Sequence, residues 1–243
     1  MSKIKNKSAA ATLLISAVLA LTALAQEPPP AMPVMREISP GVFEIGKLHL
    51  DQKALTLTFP GTLNMKAGLL EYLLVTPRGS THESLLVSDV APNDVHFAMI
   101  LLGAKGGGET TDAAPPQIDG KYLKTAPKLK GDTVLISVKW NDGTAEKTVP
   151  VEDWLFNETT KKQIERGPWT YNGSMFANGR FLAQAEGSFV ALVTNPGALL
   201  NNPRKGNDND QMWGVNEKAV PPANTPVEII FKLIPPANPA PKP

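Results

Sequence analysis

Ser84–Gly103 reads SLLVSDVAPNDVHFAMILLG, and the fold class turns on this stretch. Its first part, Ser84–Val90, is a short apolar run bounded by turn residues, which suits a strand buried on both faces. A helix is predicted over Pro92–Leu102. Proline fits a first turn, and Asn93 and Asp94 add acceptors and negative charge there. Val95, Ala98, Met99 and Leu102 follow at i, i+3, i+4 and i+7, and Gly103 stops the helix. Phe97, Ile100 and Leu101 widen the apolar face, so the helix needs cover on more than one side. Packing on a sheet supplies it.

Outward from this stretch the pattern is strands. Val42–Leu50 alternates, and so does Ala54–Phe59, with Leu55, Leu57 and Phe59 on one face and Thr56 and Thr58 on the other. Leu69–Thr76 reads as another buried strand, joined to Ser84–Val90 through Pro77-Arg78-Gly79-Ser80. Lys105–Pro116, with three successive glycines and a proline pair, reads as a linker. Beyond it, Val134–Trp140 alternates and meets Ala145–Val149 through the hairpin signal Asn141-Asp142-Gly143-Thr144. Phe189–Thr194 and Val227–Leu233 complete the strands, and a short helix is predicted from Pro196 to Leu200. The expected class is α+β: strand-dominated, mostly antiparallel sheets with one main amphipathic helix packed on a sheet.

The chain has 243 residues, with 24 Lys+Arg, 23 Asp+Glu, 23 Pro and no Cys. A hydrophobic fraction of 42% provides for a core, and a net charge of +1 gives no bulk attraction to nucleic acid. Without cysteine there are no disulfides, thiolate zinc sites, cysteine-held iron–sulfur clusters or lipoprotein anchor. Lys3, Lys5 and Lys7 precede an apolar run, Ala9–Leu24, that ends in Ala23-Leu24-Ala25. This is the pattern of a signal peptide over residues 1–25, with cleavage between Ala25 and Gln26. The run is shorter than the roughly 20 residues a membrane-spanning helix needs, so no stable membrane anchor is expected after cleavage. Cleavage removes three Lys and no acid, and 21 basic against 23 acidic residues leaves −2. A proline-rich linker over 26–40 and a proline-rich tail over 235–243 bracket the body at 41–234. That body is read as one domain or as two subdomains, 41–108 and 117–234.

Polar residues that could carry chemistry are densest at Arg78–Asp94. His82-Glu83 lacks the second histidine four residues on that a zinc-protease helix needs; position 86 is Leu. His82, Glu83, Asp89 and His96 suit a divalent ion by type. Adjacent strand residues point to opposite faces, however, so His82 and Glu83 do not readily chelate together. Ser84 and His82 lie two apart on one strand face, roughly 7 Å and too far for a nucleophile and its base. Neither a Gly-x-Ser-x-Gly elbow nor a phosphate loop is present. Asn207-Asp208-Asn209-Asp210 lacks the Gly and Glu of a calcium loop and reads as a solvated loop. Trp140, Trp154, Trp169 and Trp213 read as core and rim residues rather than a carbohydrate platform.

Leu74–Gly106 contains Thr81-His82-Glu83-Ser84-Leu85-Leu86-Val87, Asp89, Pro92, Val95-His96 and Leu102-Gly103-Ala104. It resembles the core of bacterial exported proteins with a YdjY-type domain. Trp169, Gly173-Ser174, Glu186-Gly187, Asn195-Pro196, Ala198-Leu199-Leu200, Val220-Pro221-Pro222 and Thr225-Pro226-Val227 resemble the C-terminal half of larger secreted members. The resemblance implies export and a shared polar centre of Thr81, His82, Glu83, Ser84, Asp89 and His96. Some relatives carry a ferredoxin-like label, which a chain without cysteine cannot satisfy, so no cofactor is expected. The function expected is a non-enzymatic periplasmic or secreted binding module with a protein or small-molecule partner. The alternative is a metal-assisted hydrolase centred on His82-Glu83.

Overall fold

The computed structural model describes residues 34–107, 110–111 and 128–235. The predicted signal peptide, most of the predicted linker after Gly107 and the final proline tail lie outside them. The chain first forms β1 (Met35–Ser39), β2 (Val42–Ile45), β3 (Leu48–Asp51), β4 (Thr56–Leu63), β5 (Tyr72–Val75), a 3-10 turn at Thr81–Glu83, β6 (Ser84–Val87) and helix α1 (Pro92–Leu101). After β7 (Thr110–Thr111) come β8 (Asp132–Asn141), β9 (Glu146–Pro150), a 3-10 turn at Val151–Trp154, β10 (Leu155–Asn157), β11 (Lys162–Gln163) and β12 (Trp169–Tyr171). Then β13 (Phe176–Ala177) and β14 (Arg180–Phe181) lead into helix α2 (Leu182–Glu186), before β15 (Ser188–Ala191), β16 (Leu200–Asn201), β17 (Trp213–Val215) and β18 (Pro226–Ile234).

The main sheet closes on itself. Its strand order is β4–β18–β8–β12–β16–β15–β5–β6, and β6 pairs back onto β4 through Thr62↔Val87 and Leu63↔Leu86. The result is an eight-stranded barrel, antiparallel except at β5–β6 and β15–β16. This corrects the expected α+β arrangement of a sheet with a helix packed on it. An apolar sheet face needs a second layer, and here the opposite wall of the same sheet provides it. Leu57 and Phe59 of β4, Val134, Ile136 and Val138 of β8, and Ile229 and Phe231 of β18 are buried. Phe59 meets Phe231 edge to face at 5.1 Å and stacks on Phe189 at 6.2 Å.

The helix forms as its sequence predicts, and Val95, Ala98, Met99 and Leu102 are buried. Its place is one mouth of the barrel. It leaves β6 there, its last carbonyl accepts from Gln52 just beyond β3, and the N–H of Asn93 donates to Gln184 of α2. Other local expectations change as well. Val42–Leu50 is two strands, turned at Gly46, which adopts a φ of +58°. Pro196–Leu200 is a turn running into β16, with no helix, because the Asn195 side chain caps the turn by accepting from the Gly197 N–H at 2.8 Å. Met35–Ser39, within the stretch read as linker, pairs with β2.

Strands β1–β3 extend the sheet outward from β4, and β9 pairs beside the second half of β8. A separate three-stranded sheet, β11–β10–β17, joins the barrel where Leu69, just before β5, bridges to Gly214. The four tryptophans are buried; Trp140 and Trp154 meet edge to face at 5.0 Å. Gly131 marks where β8 starts beside β12. Its φ is +146°, and a Cβ there would collide with the Tyr171 carbonyl.

Candidate functional site

The six residues of the sequence-read polar centre separate into two groups. Thr81, His82 and Glu83 form the 3-10 turn at the start of β6, while Asp89 and His96 lie beyond its end. Strand β6 spans four residues, so it carries the chain roughly 13 Å along the barrel between them. His82 is 79% exposed and sits 3.5 Å from Glu83. Ser84 is buried, and its hydroxyl donates to the Leu86 carbonyl at 2.9 Å. Asp89 pairs with Lys47 at the surface. His96 shares a 2.7 Å hydrogen bond with the Tyr171 hydroxyl and lies 4.9 Å from the Phe181 ring. Burial holds the His96 imidazole below its ordinary pKa and raises that of Tyr171. Among the described residues, no three His, Asp or Glu side chains are placed to hold a metal ion.

At the start of β5, Glu71 is held above the usual carboxylate range, by burial first and then by the nearby Glu83. Tyr72 beside it is pushed up to about 12, mainly by burial, while its hydroxyl accepts from Asn195 at 3.2 Å.

A more extensive ordered polar assembly lies elsewhere among the described residues, around β12 and β16. Thr170 and Asn201 are register partners, and alternation puts them on the face opposite the buried Trp169 and Tyr171, outside the barrel. Asn201 donates to Asn172 Oδ1 at 2.8 Å and to the Asn195 carbonyl at 2.9 Å, and accepts from the Asn195 N–H at 2.8 Å. Asn172 in turn donates to the carbonyls of Pro196 and Ala198. Each amide therefore has a fixed flip, set by the partners on both of its ends. Pro203, which has no N–H to extend a ladder, follows Asn202 and turns the chain away from β16.

Behind these amides lies a buried ion pair. Arg204 donates to Glu152 at 2.8 Å, and the Trp169 indole N–H donates to the same carboxylate oxygen at 2.8 Å. The guanidinium also donates to the carbonyls of Glu165 and Gly167, and lies 5.0 Å from the centre of the Trp169 ring. Burial lowers the Arg204 pKa, and Glu152 opposes that shift. Both the backbone N–H and the guanidinium of Arg204 donate to Asn202 Oδ1 at 3.2 Å, which directs Asn202 Nδ2 toward the Leu192 carbonyl.

In front of the amides is a pocket of about 320 Å³, lined by Lys128, Leu129, Thr170, Asn201, Asn202, Pro203 and Asn207. Its volume is at the lower end of the range for small-molecule sites, roughly 300–1,000 Å³. The Asn207 amide donates to the Asn202 carbonyl at 2.7 Å and so faces its oxygen elsewhere. Sequence reading passed over this site because asparagine beside proline and glycine signals turns. The available signal was asparagine density: positions 195, 201, 202, 207 and 209 are all Asn.

The family model of the YdjY domain matches residues 48–232, which runs from β3 into β18 and takes in every barrel strand. The chain belongs to the YdjY domain family. The matched span includes both the His82–Ser84 turn and the asparagine pocket, so either can be a feature of the YdjY domain. No curated protein and no solved structure matches this YdjY chain.

Proposed function

We propose that the chain is an exported binding module that holds a small polar solute in the pocket walled by Asn201, Asn202 and Asn207. The observation that carries this reading is the hydrogen-bonded locking of the amides around an open cavity of about 320 Å³. Side chains fixed before a ligand arrives cost little further ordering when it binds. Amides donate and accept, yet they exchange no protons near neutral pH, which suits recognition rather than acid–base catalysis. Export rests on the lysine-led apolar run and the Ala23-Leu24-Ala25 site, and it places the module in the periplasm or outside the cell.

Thermal-shift measurements on the purified protein against neutral sugars, amino acids and organic acids test the binding role. The expected result is a saturable rise in Tm with one of these classes, weakened in Thr170→Val. Absence of any saturable shift across the panel overturns the reading. Fractionation with N-terminal sequencing tests the address: the expected mature chain starts at Gln26, and an intact N-terminus in the cytoplasm contradicts it.

A further inference from the structure

We infer that the asparagine pocket selects a small hydroxycarboxylate, a solute that carries a carboxylate and hydroxyl groups on a short carbon chain. This rests on the binding role proposed above and adds the chemistry of the ligand. The selection follows from which hydrogen-bonding capacity the protein itself leaves unused at the pocket wall.

Asn201 is consumed by the fold: its amide donates twice and its oxygen accepts from Asn195. Asn202 is consumed too: its oxygen accepts from Arg204, its amide donates to the Leu192 carbonyl, and the residue is buried. Lys128 and the Thr170 hydroxyl have no side-chain partner among the described residues, so the lining adds an ammonium and a second donor. These two donors suit an oxyanion, and the described lining holds no carboxylate to repel it. Asn207 works in the other direction. Its amide is tied to the Asn202 carbonyl, so its oxygen is left as an acceptor, and a bare oxyanion cannot satisfy it. A hydroxyl on the same ligand can. Leu129 and Pro203 supply apolar wall for a short carbon backbone.

A neutral sugar gains nothing from the Lys128 ammonium, and a simple fatty carboxylate leaves Asn207 without a donor. The pocket therefore prefers the solute that carries both groups. The buried Glu152–Arg204 pair acts as a positioning element behind Asn202 and does not meet the ligand.

Isothermal titration of the whole protein with gluconate, tartrate and glycerate, against glucose, glycerol and butyrate, tests the inference. At least one hydroxycarboxylate is expected to bind saturably, with its uncharged and unhydroxylated counterparts at least tenfold weaker. Lys128→Gln, an exposed substitution, is expected to weaken that binding about tenfold while leaving the unfolding transition in place. Glucose or glycerol binding as tightly as the acids overturns the inference while the binding role stands. Unchanged affinity of Lys128→Gln for the hydroxycarboxylate that binds also overturns it. Binding of none of these solutes, or of any in the wider panel, overturns the binding role and the inference together.

Discussion

Replacing Glu152 with leucine removes the carboxylate that holds Arg204 and Trp169 together behind the pocket. Both partners of the pair are deeply placed, with side-chain exposures of 3% for Glu152 and 13% for Arg204. Breaking such a pair from one side leaves a cation out of water without its counter-charge, which costs about 3–5 kcal/mol. The indole N–H of Trp169 also loses its acceptor. Against this, Arg204 keeps the carbonyls of Glu165 and Gly167 and the Asn202 oxygen, which places the expected loss near the lower end, about 3–4 kcal/mol. In a domain of this size each kcal/mol shifts Tm by roughly 2–4 °C, so the midpoint falls by about 6–16 °C. Urea denaturation followed by tryptophan fluorescence reads the change. The double variant Glu152→Leu with Arg204→Met removes both charges and is expected to be more stable than Glu152→Leu alone. A loss under about 1 kcal/mol, the value of a surface ion pair, refutes the assignment of the pair as buried. Exact additivity of the two substitutions refutes it equally.

The depressed pKa of His96 gives the protein a stability that depends on pH. The unfolded imidazole takes up its proton near 6.5, while the folded one, buried against Tyr171 and Phe181, does so at lower pH. This contribution is therefore complete above about 6.5 and is lost as pH falls toward the folded value. In His96→Gln the fall in Tm between pH 7.5 and 5.5 is expected to be shallower than in the natural chain. Equal slopes contradict the burial of His96. The barrel seam predicts a crosslink: Thr62→Cys with Val87→Cys places the only two thiols of the chain at register partners on β4 and β6. Paired strand positions lie about 4.5–5.5 Å apart at Cα, within disulfide range. Mild oxidation is expected to yield an intramolecular bond and a higher Tm, whereas persistent free thiols in folded protein exclude closure at this seam.

The local pattern of the fold was legible and its closure was not. Thr56–Leu63, Asp132–Asn141 and Pro226–Ile234 alternate in sequence and alternate in burial. The Asn141–Thr144 turn forms, with Asp142 accepting from the N–H groups of Thr144 and Ala145. Alternation is the same, however, whether a sheet stays open beneath a helix or curls against itself. What decides closure is the pairing of β4 with both β6 and the distant β18, which no local window contains. Strands of two or three residues such as β12 and β16 carry too little pattern to be read at all. The residues of the sequence-read polar centre are not gathered by the fold, for a related reason. His82 and His96 are close in sequence, yet β6 holds them apart along the barrel. Asn172, Asn195, Asn201 and Asn202 are spread along the chain as turn-type residues, and only the pairing of β12 with β16 gathers them.

The central claim, that this gathering makes a binding site, is tested most directly by the side-chain amide resonances of the asparagines. Titration of isotopically labelled protein with gluconate, tartrate and glycerate in turn is expected, for at least one of them, to shift the Asn207 side-chain NH₂ signal saturably, together with the backbone signals of Thr170 and Lys128. Shifts centred instead on His82, Glu83 and Ser84, or no saturable shift anywhere, would contradict it.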